Sequence, residues 1–154
     1  MKKSGRFLAL MLCVCAIVAA INPMALAAET QENPCITYYA DGSYSVTTIT
    51  LDEQEDGISV AATETRATKQ RDFYDSSRNL VWTLYVHGTF IYDGRTATAT
   101  DSDYSYQIYD SEWSFVSGNA SYSGATARAT GKFSRSATTS ASVSLTCSAN
   151  GTLS

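Results

Sequence analysis

Period-two alternation dominates the chain after residue 62, and its clearest stretch is 80–92. Leu80, Trp82, Leu84, Val86, Phe90 and Tyr92 fall on one side of an extended chain. Val81, Thr83, Tyr85, His87, Thr89 and Ile91 fall on the other. Successive side chains of a strand point to opposite faces, so the first set is the expected core and the second the partly wet face. Gly88 interrupts the core set and marks a bulge or close packing. Asp93-Gly94 is a hairpin signal. On the strand beyond it, 96–100, Ala97 and Ala99 are small enough to lie opposite Phe90 and Tyr92. Further strands are expected over 36–39, 44–51, 65–74, 104–109 and 113–116, with 117–124 as a loop. Ala125, Ala127, Ala129 and Phe133 share one face, and the last strand turns Val143, Leu145 and Cys147 inward. No window beyond residue 27 keeps a helical period. The expected fold class is therefore all-β, an antiparallel β-sandwich, immunoglobulin-like in one arrangement and a closed barrel in the alternative.

The amino end follows a different rule. Lys2, Lys3 and Arg6 precede an uncharged apolar run from Phe7 to Ile21, then Asn22-Pro23 and the small pair Ala25 and Ala27. That order is the layout of a signal peptide, with cleavage expected after Ala27 and Ala28 as the second choice. The apolar run falls short of the ~20 residues that span a bilayer, so no stable membrane insertion is expected after cleavage. This divides the chain into a signal peptide at 1–27, a tail with short strands and an acidic loop at 28–62, and the β-sandwich at 63–154. The expected location is secreted and extracellular.

Cleavage changes the charge and the cysteine inventory. Lys+Arg falls from 11 to 8 against 15 Asp+Glu, a net charge of −7. Such a surface repels phosphate backbones and argues against nucleic acid as a partner. Of the four cysteines, Cys35 and Cys147 remain, and in an oxidising compartment they suggest a disulfide. It would close a loop of about 110 residues, worth about 4–5 kcal/mol in the chain-entropy model.

The pattern 44–49, 80–94 with its Gly88-Thr-Phe-Ile-Tyr-Asp-Gly94 segment, Tyr109-Asp-Ser-Glu-Trp113 and the closing 145–154 resembles a group of small secreted β-rich proteins of unassigned function from Gram-positive, largely gut, bacteria. The likeness covers most of 44–154, and its motifs are structural. In that group a cysteine often lies near the position of Ala99 and pairs with the terminal one. Here the position is alanine, which leaves Cys35 to substitute or Cys147 free.

Candidate chemistry is sparse. His87 is the one histidine, with no nucleophile beside it in the sequence, and it reads as an ordinary strand residue. One histidine with two distant cysteines makes no metal set. Asp101, Asp103, Asp110 and Glu112 are the remote candidates for an acid-pair hydrolase or a calcium site. Tyr104, Tyr106, Tyr109, Trp113 and Tyr122 crowd one stretch, with Trp113 expected as a core anchor. Exposed tyrosine rings stack on sugar faces, which makes Tyr104, Tyr106 and Tyr122 the glycan-binding candidates. Lys69 and Lys132 read as outward-facing or turn residues. The expected function is a non-catalytic extracellular interaction domain for a protein or glycan partner, without cofactor, metal or catalytic residues. A carbohydrate-binding module is the alternative.

Overall fold

The computed structural model describes residues 34–52 and 62–154. The expected signal peptide, its cleavage site at Ala27 or Ala28, the start of the tail and most of the acidic loop lie outside the described residues. The rest is all-β, in two antiparallel sheets.

The larger sheet holds β1 (Cys35–Tyr38), β2 (Tyr44–Leu51), β3 (Thr63–Tyr74), β4 (Leu80–Tyr92) and β5 (Ala97–Ile108). The smaller holds β6 (Ser114–Ser123), β7 (Thr126–Ser134) and β8 (Thr138–Thr146). Strand order is sequential within each sheet, so the topology is two meanders rather than the Greek key of an immunoglobulin domain. β1 and β2, which precede the acidic loop, belong to the same sheet as the strands that follow it. β2 pairs with β3 along its whole length, from Tyr44 opposite Tyr74 to Leu51 opposite Ala67.

The core follows the alternation of β4. Trp82, Leu84, Val86 and Phe90 are all buried. Phe90 faces Ala99 and Tyr92 faces Ala97 across the β4–β5 ladder, the large-on-small match expected from the sequence. The smaller sheet answers with Ala127, Ala129, Gly131 and Phe133 on β7 and Ala141, Val143 and Leu145 on β8. These small residues let the sheets approach closely. A Cβ on Gly88 would come within 3.0 Å of the Ala127 Cβ and 2.7 Å of the Phe90 ring. Within the cleft Phe73 stacks on Trp82 at 4.9 Å, and Trp82 stacks on Phe133 at 4.1 Å. Trp113 meets Phe73 edge-on at 5.9 Å, so it is a flank of this core.

Three local expectations change. Val81 and Thr83, expected to be partly wet, are 1% exposed. The β5–β6 connection folds back over the start of β4, where the Tyr109 and Asp110 N–H groups donate to the Val81 carbonyl. The Thr83 hydroxyl donates to Asp72 at 2.6 Å. The two short strands expected at 96–100 and 104–109 are one strand, β5, with a register shift opposite Thr89 and Phe90. Residues 117–124, expected as a loop, are mostly strand: β6 pairs with β7 through Ser123, and its interior positions Gly118 and Ala120 carry too little side chain to show an apolar alternation.

Turns and ends are tied by hydrogen bonds. Asp93 accepts the N–H groups of Thr96 at 2.7 Å and Arg95 at 2.9 Å, while Gly94 takes φ +81°, which glycine adopts without strain. Asp41 accepts from the Ser43 hydroxyl at 2.6 Å and its N–H at 3.0 Å. Asp75 accepts from Asn79 in the same way. At the carboxy end Leu153 bridges Cys147, and Thr146 and Ser154 exchange both backbone hydrogen bonds.

Trp82→Ala removes the ring between Phe73 and Phe133 and is expected to cost about 3–5 kcal/mol. Trp82→Phe loses less, because the indole N–H has no protein acceptor to give up. Urea denaturation of the two variants measures the difference. The three turn carboxyls are held below the usual aspartate value. Their largest causes are the Ser43 hydroxyl for Asp41, the Asn79 side chain for Asp75 and the Thr96 N–H for Asp93. A depressed folded value means that the stabilisation is present above the unfolded value, about 3.9, and lost as pH falls through the folded one. Melting temperature is therefore expected to fall below about pH 4, and less steeply in Asp93→Asn, whose amide oxygen still accepts but no longer titrates.

Candidate functional site

Residues opposite one another in an antiparallel ladder share a face, so the registers place the side chains of each sheet. On the outer face of the larger sheet, Tyr38 of β1 lies opposite Tyr44 of β2, which lies opposite Tyr74 of β3. Three tyrosines thus form one row across three strands. Tyr44 and Tyr74 stack at 4.8 Å with their planes 3° apart, and Tyr38 meets Tyr44 at 5.8 Å. Tyr85 on the same face of β4 and Tyr109 beyond β5 continue the patch. Burial raises the Tyr74 phenol above its usual value, with the Asp72 charge as the second cause. Burial also raises Tyr85, with the Tyr109 hydroxyl second. Both therefore remain protonated donors across the physiological range.

Exposure within the patch is graded. Tyr38 is 75% and Tyr109 47% exposed, while Tyr44, Tyr74 and Tyr85 are half-buried. The exposed Ile36 lies in the next row, opposite Val46 and in line with Asp72 and Thr83. Farther along the same face, His87 is held between the Thr68 hydroxyl on Nδ1 and the Ser105 hydroxyl on Nε2, each at 2.9 Å. Its neighbours across the strands are Thr68 and Asp103. This places His87 in a cross-strand polar row.

Of the tyrosines singled out from the sequence, Tyr104 and Tyr106 come together at Phe115 and Tyr122 stands apart. Tyr104 leans into the core against Phe115 and over Gly118, where a Cβ would meet its ring at 2.6 Å. Tyr106 stacks on Phe115 at 3.7 Å, so one of its faces is already used. Tyr122 is 52% exposed and has no aromatic neighbour among the described residues. The acids also stand apart. Asp101 and Asp103 each accept the N–H of the following residue, Asp110 accepts the Glu112 N–H, and Glu112 pairs with Arg135. Among the described residues no three His, Cys, Asp or Glu side chains converge as a metal set.

The expected Cys35–Cys147 disulfide is not formed: both are free thiols. Cys35 sits on the exposed edge strand β1. Its partner across the ladder is Thr47, and it lines a 260 Å³ cavity with Lys69, Ser142 and Val143. Cys147 is 2% exposed, past the end of β8, with its Sγ donating to the Ser148 carbonyl. One thiol faces the margin and the other is packed. Lys69, expected to face out, shares the core-side row with Val86 and Ile49.

No protein-family model, curated protein or solved structure matches the chain.

Burial pushes the Cys147 thiol up, which lowers its thiolate fraction as well as its access. A maleimide reagent is expected to modify Cys35 in the folded protein and Cys147 only after denaturation. Peptide mapping by mass spectrometry reads both sites.

Proposed function

We propose that the chain is exported and that its mature part is a non-catalytic extracellular interaction domain, with the tyrosine row of the larger sheet as its contact surface for a protein partner. The observation that carries this reading is the direct register of Tyr38, Tyr44 and Tyr74, with Tyr85 and Tyr109 beside them. Tyrosine offers a large, rigid and amphipathic contact area with little side-chain entropy to lose, which is why binding surfaces are enriched in it. A sheet supplies the rigid base, and the part-exposed Asp72 and Gln70 supply polar groups around the rings.

The alternative, a module that stacks sugars on Tyr104, Tyr106 and Tyr122, is less well supported. The first two are engaged with Phe115, and the third stands alone. In the row itself, Tyr44 and Tyr74 face each other and present edges and hydroxyls outward. Edges and hydroxyls suit a protein surface better than the flat face of a sugar ring.

Expression of residues 1–154 in a secreting bacterial host is expected to release protein beginning at Ala28, read by intact-mass analysis of the medium. The released protein is then screened by surface plasmon resonance against purified extracellular and cell-surface proteins, beside a glycan array. Tyr38→Ala/Tyr109→Ala, at two exposed positions, is expected to weaken the protein interaction about thirtyfold, the scale of one interface hot spot. Retained affinity in that variant, or array binding that depends on Tyr104, Tyr106 or Tyr122, would replace this reading with the alternative.

A further inference from the structure

The outer face of the smaller sheet has a different chemistry. Its cross-strand rows read Ser117–Lys132–Ser140, Asn119–Thr130–Ser142 and Ser121–Arg128–Ser144. Every side chain in these rows is a hydroxyl, an amide or a cation, and none is an acid. In a chain whose acids outnumber its cations, 15 to 11, that is a local reversal of charge.

Between the first two rows runs a trough of 530 Å³ lined by Ser117, Asn119, Thr130, Lys132, Ser140 and Ser142. Its floor is the backbone of the row Gly118–Gly131–Ala141, whose side-chain positions point to the core. The glycines are fixed by the core on the opposite side. A Cβ on Gly118 would strike the Tyr104 ring at 2.6 Å, and one on Gly131 would lie 3.0 Å from Phe133.

Arg71 closes the trough at the β8 edge. It rises from β3, at the margin where the larger sheet extends past the smaller. Its Nη1 donates to the Ser142 carbonyl at 2.9 Å, its Nε to the Ser45 hydroxyl at 3.3 Å and its Nη2 to the Tyr39 hydroxyl. All three acceptors are neutral. Among the described residues no carboxylate lies within ion-pair reach of Arg71 or Lys132, whereas Arg66 and Arg135 each have one. The guanidinium is therefore held in place with its charge uncompensated and two of its five N–H donors unspent. A second cation, Lys132, lines the same trough.

We infer that this trough is a binding site for an acidic sugar, with Arg71 at its edge taking a carboxylate or sulfate, Lys132 in its lining adding positive charge, and the Ser, Thr and Asn side chains taking ring hydroxyls. A planar guanidinium recognises both oxyanions through paired N–H donors, and the ammonium adds charge without fixing geometry. Hydroxyl and amide side chains both donate and accept, as sugar hydroxyls do. No aromatic platform is needed, because the oxyanion anchors one end of the ring. The site lies on the opposite sheet from the tyrosine row and does not depend on its role.

The test is a titration of the ¹⁵N-labelled protein with sodium glucuronate, glucose 6-sulfate and neutral glucose at constant ionic strength. Saturable amide shifts at Gly118, Gly131 and Ser142 are expected with the glucuronate, the sulfate ester or both, and their relative affinities identify the preferred oxyanion. Glucose is expected to give none. Lys132→Gln, an exposed substitution outside the core, is expected to weaken binding at least about fivefold, while Tyr38→Ala/Tyr109→Ala leaves it unchanged. Arg71→Gln is expected to abolish binding, and amide spectra show whether that variant keeps its fold. The absence of saturable shifts with both acidic sugars, an equal response to glucose, or unchanged affinity in Lys132→Gln would each refute the site.

Discussion

The stack of Trp82 on Phe133 is the interaction on which the two sheets depend. It joins β4 of the larger sheet to the middle strand of the smaller through rings 4.1 Å apart, with Phe73 completing the pile. Phe115 and Tyr106 meet Phe133 edge-on beside it, while farther along the core the facing residues Gly88, Ala127 and Ala129 are small. A few large rings set the spacing at one end, and backbone-to-backbone approach sets it at the other. Packing at organic-crystal density leaves little slack, so a methyl group added at Gly88 or Gly131 has nowhere to go without moving a ring. On the outer side the backbone of Gly118 and Gly131 floors the hydroxyl-lined trough.

The chain divides its polar chemistry between two outward faces. The larger sheet carries tyrosines with Asp72, Asp101, Asp103 and Glu64, and the smaller carries serines, threonines, Asn119, Arg128 and Lys132. Neither set overlaps the other in position, since two sheets and the core stand between them. Arg71 is the exception that links the layers: it is rooted in the larger sheet, and it donates to Ser142 at the edge of the smaller. That contact fixes the relative position of β3 and β8 through a polar group, at the margin where apolar cover runs out.

How much of this was legible in the sequence depends on whether it needed partners. The faces of β4 follow from the alternation of one segment, and the match of Ala97 and Ala99 to Tyr92 and Phe90 follows from a two-strand hairpin with a strong turn signal. β6 was not legible past Val116, because Gly118 and Ala120 supply no large apolar residue to betray the inner face. The tyrosine row was not legible at all. It arises from Tyr38, Tyr44 and Tyr74, residues as much as 36 positions apart, brought level only by the pairing of β1 with β2 and β2 with β3. The eye falls instead on Tyr104, Tyr106 and Tyr122, but alternation sends the first two together onto Phe115 and the fold leaves the third apart. The cysteines misled for a related reason: an even count in an exported chain suggests a bond, but the fold places one thiol on an edge strand and the other in the core.

The strictly sequential order of both sheets bears on how the molecule is built. Each strand finds its partner in the segment just completed, so no strand waits for a distant one and loop-closure entropy stays small at every step. A chain that emerges amino end first finishes the entire larger sheet by Ile108, before any residue of β6 has appeared. The last 40 or so residues then supply the second layer that covers its apolar face.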